Sequence, residues 1–182
     1  GSFLLKQKTA FGFWDGNDQS GRSIFKIRFT PTKEGGWSYT TTSSDSGLNG
    51  KSGKINAIKP LANSKGFVRF NPSNPYHFVF DSGDKYFMVG QTYYEVINNA
   101  MSGSNWKTAI DKTKSNGINK VRMLVIPWST GGEESGVPRK YPSSSPFVSN
   151  NHNVLNIAHW KKLDEIIKYL DSKGMMAEII IF

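Results

Sequence analysis

The sequence predicts two domains in tandem, an antiparallel β-sandwich followed by parallel βα units. Three observations lead there. Residues 3 to 80 carry short runs of alternating apolar and polar side chains separated by turn residues, with no helix signal among them. Lys85 to Pro127 then reads as strand, polar turn, helix, turn and strand, the order of a parallel βαβ unit. The strand expected near Val121 is apolar on both faces apart from two basic residues, which suits a sheet covered by helices.

The elements follow in order. Phe11 to Trp14 is the first clear strand. In Ile24 to Phe29, the side chains of Phe25, Ile27 and Phe29 share one face while Lys26 and Arg28 take the other, so one side is core and the other faces water. Thr30 to Gly36 is a turn by composition, Trp37 and Tyr39 repeat the alternation, and Ser43 to Gly53 is a polar loop with glycines at 47, 50 and 53. Lys54 to Ile58, Phe67 to Phe70 and His77 to Phe80 complete the strands of a small sandwich. Because the first strand begins close to the chain start, few inward positions remain to build two facing sheets, and the sandwich is expected to be marginal with its first strands missing.

Asp81-Ser-Gly-Asp84 is expected to turn the chain into the first parallel strand, Lys85 to Gly90, which places a tight domain boundary near Phe80 to Asp84 and gives domains over 3–82 and 83–182. Gln91 to Glu95 follows with polar and aromatic groups. Asn105 to Lys114 has Trp106, Ala109, Ile110 and Thr113 at helical spacing, Ser104 or Asn105 to cap it, and Ser115-Asn116-Gly117 to stop it. Ile118 to Pro127 is the second parallel strand. No periodicity is visible from Trp128 to Leu155, a stretch far longer than the usual βα loop and therefore a candidate functional loop. Ile157 to Ser172 is an amphipathic helix with Trp160, Leu163, Ile167 and Leu170 on one stripe, ended by Lys173-Gly174, and Met175 to Phe182 is a third strand.

Composition narrows the chemistry. With 182 residues and 37% hydrophobic content the chain is globular, and it has no apolar run long enough to span a membrane. Gly1-Ser2 reads as an expression scar, not as a signal peptide, so any export signal is expected to have been removed. The absence of cysteine excludes disulfides and cysteine-ligated metals, and His77, His152 and His159 lack metal-ligand spacing, so neither metal nor cofactor is expected. The net charge of +9 comes from 23 scattered basic residues without a nucleic-acid motif, so no nucleic acid is expected as partner. A solvated surface, or attraction to an acidic polymer such as an anionic polysaccharide, accounts for the charge equally well.

Several stretches together resemble a bacterial family of glycoside hydrolases in which a β-sandwich domain of unknown function precedes an apiosidase-like (β/α)8 barrel, also called a TIM barrel. In the sandwich they are Gly12-Phe-Trp-Asp-Gly16, Phe25-Lys-Ile-Arg-Phe29 followed by Pro31, and Gly36-Trp-Ser-Tyr-Thr-Thr41. In the barrel they are Gly90-Gln-Thr-Tyr-Tyr94, Asn119-Lys-Val-Arg-Met123 followed by Pro127, and Lys173 to Phe182. The resemblance implies an antiparallel β-sandwich followed by the first three βα units of a truncated barrel, the chain being an internal fragment of a longer enzyme. It also implies secretion or a periplasmic location, a role in polysaccharide degradation, and the remainder of the barrel supplied by the parent chain or a second polypeptide. In similar retaining enzymes the acid/base glutamate closes strand four and the nucleophile closes strand seven, positions expected beyond Phe182. Glu133, Glu134 and Glu178 are therefore not promoted to catalysts.

Arg122 is the foremost candidate. It shares a face of its strand with Lys120, Leu124 and Ile126, so it points into the barrel if Leu124 does, where a charge needs a carboxylate partner. The resemblance implies that an arginine at this place orients the nucleophile and keeps it ionised. The alternative is a structural ion pair. Gln91, Tyr93 and Tyr94 are expected past the end of strand one, on the face where barrel enzymes place their sites, and would suit sugar hydroxyls and apolar sugar faces. Trp128 could stack on a sugar ring or cap the long loop. Trp14, Arg28, Trp37 and Tyr39 are better read as sandwich side chains than as a sugar platform. Asp15, Asn17 and Asp18 match a calcium loop poorly and a polar hairpin turn well. The leading function is a glycoside hydrolase acting on a carbohydrate substrate, including anionic ones. The alternative is a non-catalytic carbohydrate-binding or structural barrel protein.

Overall fold

A computed structural model describes residues 8–62, 64–126, 145–149 and 151–181. It is mostly sheet with a few helices, and divides into two compact units, the first ending at Tyr86 and the second beginning at Phe87.

The first unit is antiparallel throughout. β1 (Gly12–Asn17) pairs with β2 (Ser23–Ile27), and β3 (Gly35–Thr40) pairs with β4 (Ser52–Ala57). β5 (Val68–Asn71), β6 (Asn74–Phe80) and β7 (Lys85–Tyr86) form a three-stranded sheet in that order. The turns carry the chemistry expected of them. Asp18 accepts hydrogen bonds from the backbone N–H groups of Ser20 and Arg22, both at 2.9 Å, and closes the first hairpin. Trp37 donates its indole N–H to the Lys33 carbonyl at 3.0 Å and meets Phe29 edge to face at 5.1 Å.

β7 corrects the expectation that Lys85 opens the parallel sheet. Gly83, at φ +90°, lets Asp81 to Asp84 fold back as a hairpin turn, with Phe80 N–H donating to the Asp84 carbonyl at 2.9 Å. Tyr86 thereby pairs with Phe78 and packs its ring 5.1 Å from that of Phe80. The apolar run misled because an antiparallel edge also accepts it.

The second unit holds a three-stranded parallel sheet in the order β12 (Met176–Ile180), β9 (Lys120–Leu124), β8 (Gly90–Thr92). Asn119 fastens the start of the sheet, its side chain accepting from Val89 N–H at 2.9 Å and donating to the Phe87 carbonyl at 2.7 Å. Between β8 and β9 lie two helices, α1 (Val96–Met101) and α2 (Trp106–Ser115). The first was not anticipated. Its single amphipathic repeat, Val96, Ile97 and Ala100, is too short to stand out as periodicity, yet all three side chains are buried. α2 starts after Asn105 as expected, but the Asn105 side chain makes no capping hydrogen bond.

A further correction falls in the long loop. Among its described residues, β10 (Phe147–Val148) and β11 (Asn151–Leu155) form an antiparallel hairpin where none was expected. Pro146 at its base accepts from Asn156 N–H at 2.8 Å and from the Trp160 indole at 3.2 Å, which ties the hairpin to the start of α3 (Ile157–Ser172).

One cluster joins these elements: Val96, Ile97, Trp106, Ile110, Val121, Met123, Leu163, Ile166 and Leu170 are buried together. Since Val121 and Met123 alternate with Lys120 and Arg122 along β9, all three helices pack on the same face of the sheet. α2 and α3 are further joined by Asp111, which accepts from Tyr169 Oη at 2.8 Å and pairs with Lys173 at 2.7 Å. Lys173 also lies 4.8 Å from the centre of the Tyr169 ring.

Candidate functional site

Register decides which side chains meet. In the parallel ladder Thr92 stands beside Arg122 and Arg122 beside Glu178, while Gln91 stands beside Val121 and Val121 beside Ala177. Partners in register point to the same side, so Lys120, Arg122 and Glu178 occupy the face away from the helices.

There they form one charged group. The Glu178 carboxylate reaches across from β12, taking the Arg122 Nε–H on Oε1 at 2.7 Å and Lys120 Nζ on Oε2. Lys120 is the more enclosed, its side chain 20% exposed against 48% for Arg122. The Lys120 ammonium, helped by the Arg122 guanidinium, holds the Glu178 carboxyl below the ordinary glutamate range. Three charges sum to one positive charge on this face. β8 adds only Gly90 and Thr92, and Gly90 leaves the Lys120 stem room, since a Cβ there would come within 2.9 Å of Lys120 Cε.

The other sequence candidates separate. Gln91 is exposed and stands on the opposite side of the ladder from Arg122, so the two are not brought together. Tyr93 continues the ladder by donating its N–H to the Arg122 carbonyl at 2.8 Å, but its hydroxyl is 2.7 Å from Thr113 Oγ1 and its ring packs on the helix-side core. Tyr94 is half exposed and lines, with Thr92, Glu95, Asn99 and Trp106, a groove of about 290 Å³ formed by the turn after β8 and the first two helices. None of Lys120, Arg122 and Glu178 lines it. Trp128, Glu133 and Glu134 lie outside the described residues. In the first unit Asp15 is paired with Lys26 and Asp18 with Arg22, and no group of three or more metal-ligating side chains gathers among the described residues.

Sequence reasoning set Arg122 on one face of its strand with Lys120 and called for a carboxylate partner, but did not name Glu178 as that partner. The available signal was parity: Glu178 is flanked by Ala177 and Ile179, which take the opposite face, so it falls on that of Arg122 once the two strands are set in parallel.

Comparison with known proteins agrees with this architecture. Residues 73–182 match the family model described as apiosidase-like, catalytic domain, and residues 5–44 match a domain of unknown function, DUF5060. The chain belongs to the apiosidase-like catalytic domain family, and its DUF5060 match lies ahead of that domain. A candidate glycoside hydrolase from Bacteroides vulgatus superposes over 100% of this chain with a TM-score of 0.76 and 26% identity, and the match covers 35% of that protein. The chain thus spans about a third of the length of that solved relative. A glycoside hydrolase family 5 protein from Bacteroides vulgatus matches 64% of this chain and 24% of its own at 20% identity, with a TM-score of 0.43. No curated protein matches the chain.

Proposed function

We propose that this chain carries the first three βα units of a (β/α)8 barrel, with a β-sandwich domain ahead of it, and that the whole polypeptide is a glycoside hydrolase. The observation that carries the reading is the winding of the second unit. Its three strands are laid side by side in chain order, and the helices between them all return over one face. A doubly wound sheet reverses its strand order and covers both faces, whereas a barrel keeps adding strands in one direction with helices outside. The face bearing Arg122 and Glu178 is then the interior of the barrel. The family match and the relative of 0.76 TM-score support the same reading.

The chemistry follows from the class. Two carboxylates act on a glycosidic bond through an oxocarbenium-like transition state, one as acid and the other as nucleophile or base. Glu178 is a poor candidate for the acid, because two cations hold it ionised where an acid needs its proton retained. The catalytic pair is assigned to the remainder of the barrel, and this chain contributes Arg122 and, at the sugar site, Tyr94 and Trp128, while Gln91, on the helix side of the ladder, takes no part. The substrate is a polysaccharide or oligosaccharide and the location is secreted or periplasmic, a reading that rests on the family resemblance and that cell fractionation of the native host tests.

The direct test is to assay the full-length polypeptide on a panel of neutral and acidic polysaccharides and aryl glycosides. Release of reducing ends is expected from at least one. Binding of a polysaccharide without any cleavage would identify a carbohydrate-binding protein instead.

A further inference from the structure

We propose that Glu178 is a positioning residue: it bridges Lys120 and Arg122 into one cluster of net charge +1 and presents the terminal edge of the Arg122 guanidinium to a carboxylate of the catalytic pair. The inference rests on the hydrolase reading and deepens it.

The geometry points this way because Glu178 engages Arg122 through Nε, at 2.7 Å. A guanidinium offers five N–H donors in a planar fork, and a contact through Nε leaves its terminal nitrogens for a second anion. Arg122 has no other side-chain partner among the described residues, and its side chain is 48% exposed. The second oxygen of Glu178 is occupied by Lys120, so neither partner can swing away without breaking the bridge. Around the cluster, β8 contributes Gly90 and Thr92, β9 contributes Lys120 and Arg122, and β12 contributes Glu178, so these three are the charged groups of the described sheet that act on an anion arriving there. The helices carry their own ion pairs, such as Lys107 with Glu165 and Lys173 with Asp111, on the other side of the sheet.

The sign of the cluster makes the role testable. Glu178→Gln raises the charge from +1 to +2, which favours the ionised form of a nearby carboxylate. Arg122→Gln lowers the charge to zero and does the reverse. In the full-length enzyme, the acidic limb of the kcat/KM profile is expected to move down in Glu178→Gln and up in Arg122→Gln, each by about half to one pH unit. Arg122→Lys keeps the charge but loses the fork, so the limb stays while kcat falls at least about tenfold. In wild type, the Arg122 Nε–H proton is expected as a resolved, slowly exchanging NMR signal, a readout that does not depend on any variant folding. A limb unmoved in Glu178→Gln, movement in the same direction in both charge variants, or no protected Nε–H signal would overturn the assignment while leaving the hydrolase reading intact. Absence of glycosidase activity from wild type would overturn both.

Discussion

Gly66 and Asp81 hold each other in place at the mouth of the last hairpin of the first unit. Gly66 has φ +73°, and a Cβ added there would lie 2.6 Å from Asp81 Cβ. The Asp81 carboxylate cannot give way, because Oδ2 accepts from Phe67 N–H at 2.8 Å and Oδ1 pairs with Arg69 Nε at 2.8 Å. Gly66→Ala is therefore expected to cost about 1–3 kcal/mol through backbone strain alone, with the clash added, measured as a lowered urea midpoint for the loss of β signal. Arg69 first, then the Phe67 N–H, holds Asp81 below the usual aspartate value. A lowered folded-state pKa means stability that is present above the unfolded value and lost as pH falls through the folded one. The melting temperature is expected to fall as pH drops below about 4, and Asp81→Asn should flatten that slope; an unchanged slope in the variant would show that Asp81 contributes nothing. In the sequence Asp81 stood out only as the first residue of a turn, and Gly66 is one glycine among 18. The clash joins residues 15 positions apart in the chain, and only the paired strands bring them together.

At the scale of elements, what was legible is what repeats. α3 has the bounds expected from its stripe and its Lys173-Gly174 stop, because 16 residues give the helical period several turns in which to show. Its buried stripe nevertheless runs through His159, Leu163, Ile166 and Leu170, one residue to the side of the expected Trp160 and Ile167, which are only partly buried. The wide apolar face hid the shift, and a histidine does not count as apolar by inspection. α1, with six residues, and β8, with three, were too short to show a period. The stripe yields a graded prediction. Ile110→Ala and Ile166→Ala, both fully buried, are expected to cost about 2–5 kcal/mol each, whereas Lys168→Ala on the exposed face should stay within about 0.5 kcal/mol. Chemical denaturation followed by far-ultraviolet circular dichroism distinguishes the two classes, and equal effects at Ile166 and Lys168 would contradict the packing described for α3.

Across the whole molecule, burial is uneven. Among the described residues every buried apolar side chain belongs to the second unit, while the first exposes Phe11 at 88%, Phe70 at 70% and Tyr76 at 92%. Apolar surface of this kind is normally removed from water, and hairpins of two strands are marginal without a covering layer. The parallel sheet has the same need, because its helices serve one face and parallel sheets are stable with both covered. Its edge strand β12 leaves Ile179 40% exposed, and Ile181 just beyond it is 59% exposed. A closed barrel would bury that edge, and a complete sandwich would bury the aromatic faces of the hairpins. Residues 1–182 prepared alone are accordingly expected to associate as concentration rises and to bind a hydrophobic dye, with the second unit supplying whatever cooperative transition is seen. A polypeptide carrying the rest of the barrel should do neither. Sedimentation velocity over a range of concentrations decides the matter: a monodisperse monomer without dye binding would mean that these surfaces are satisfied within the 182 residues, and would count directly against the barrel reading on which the placement of Arg122 and Glu178 in an enclosed site depends.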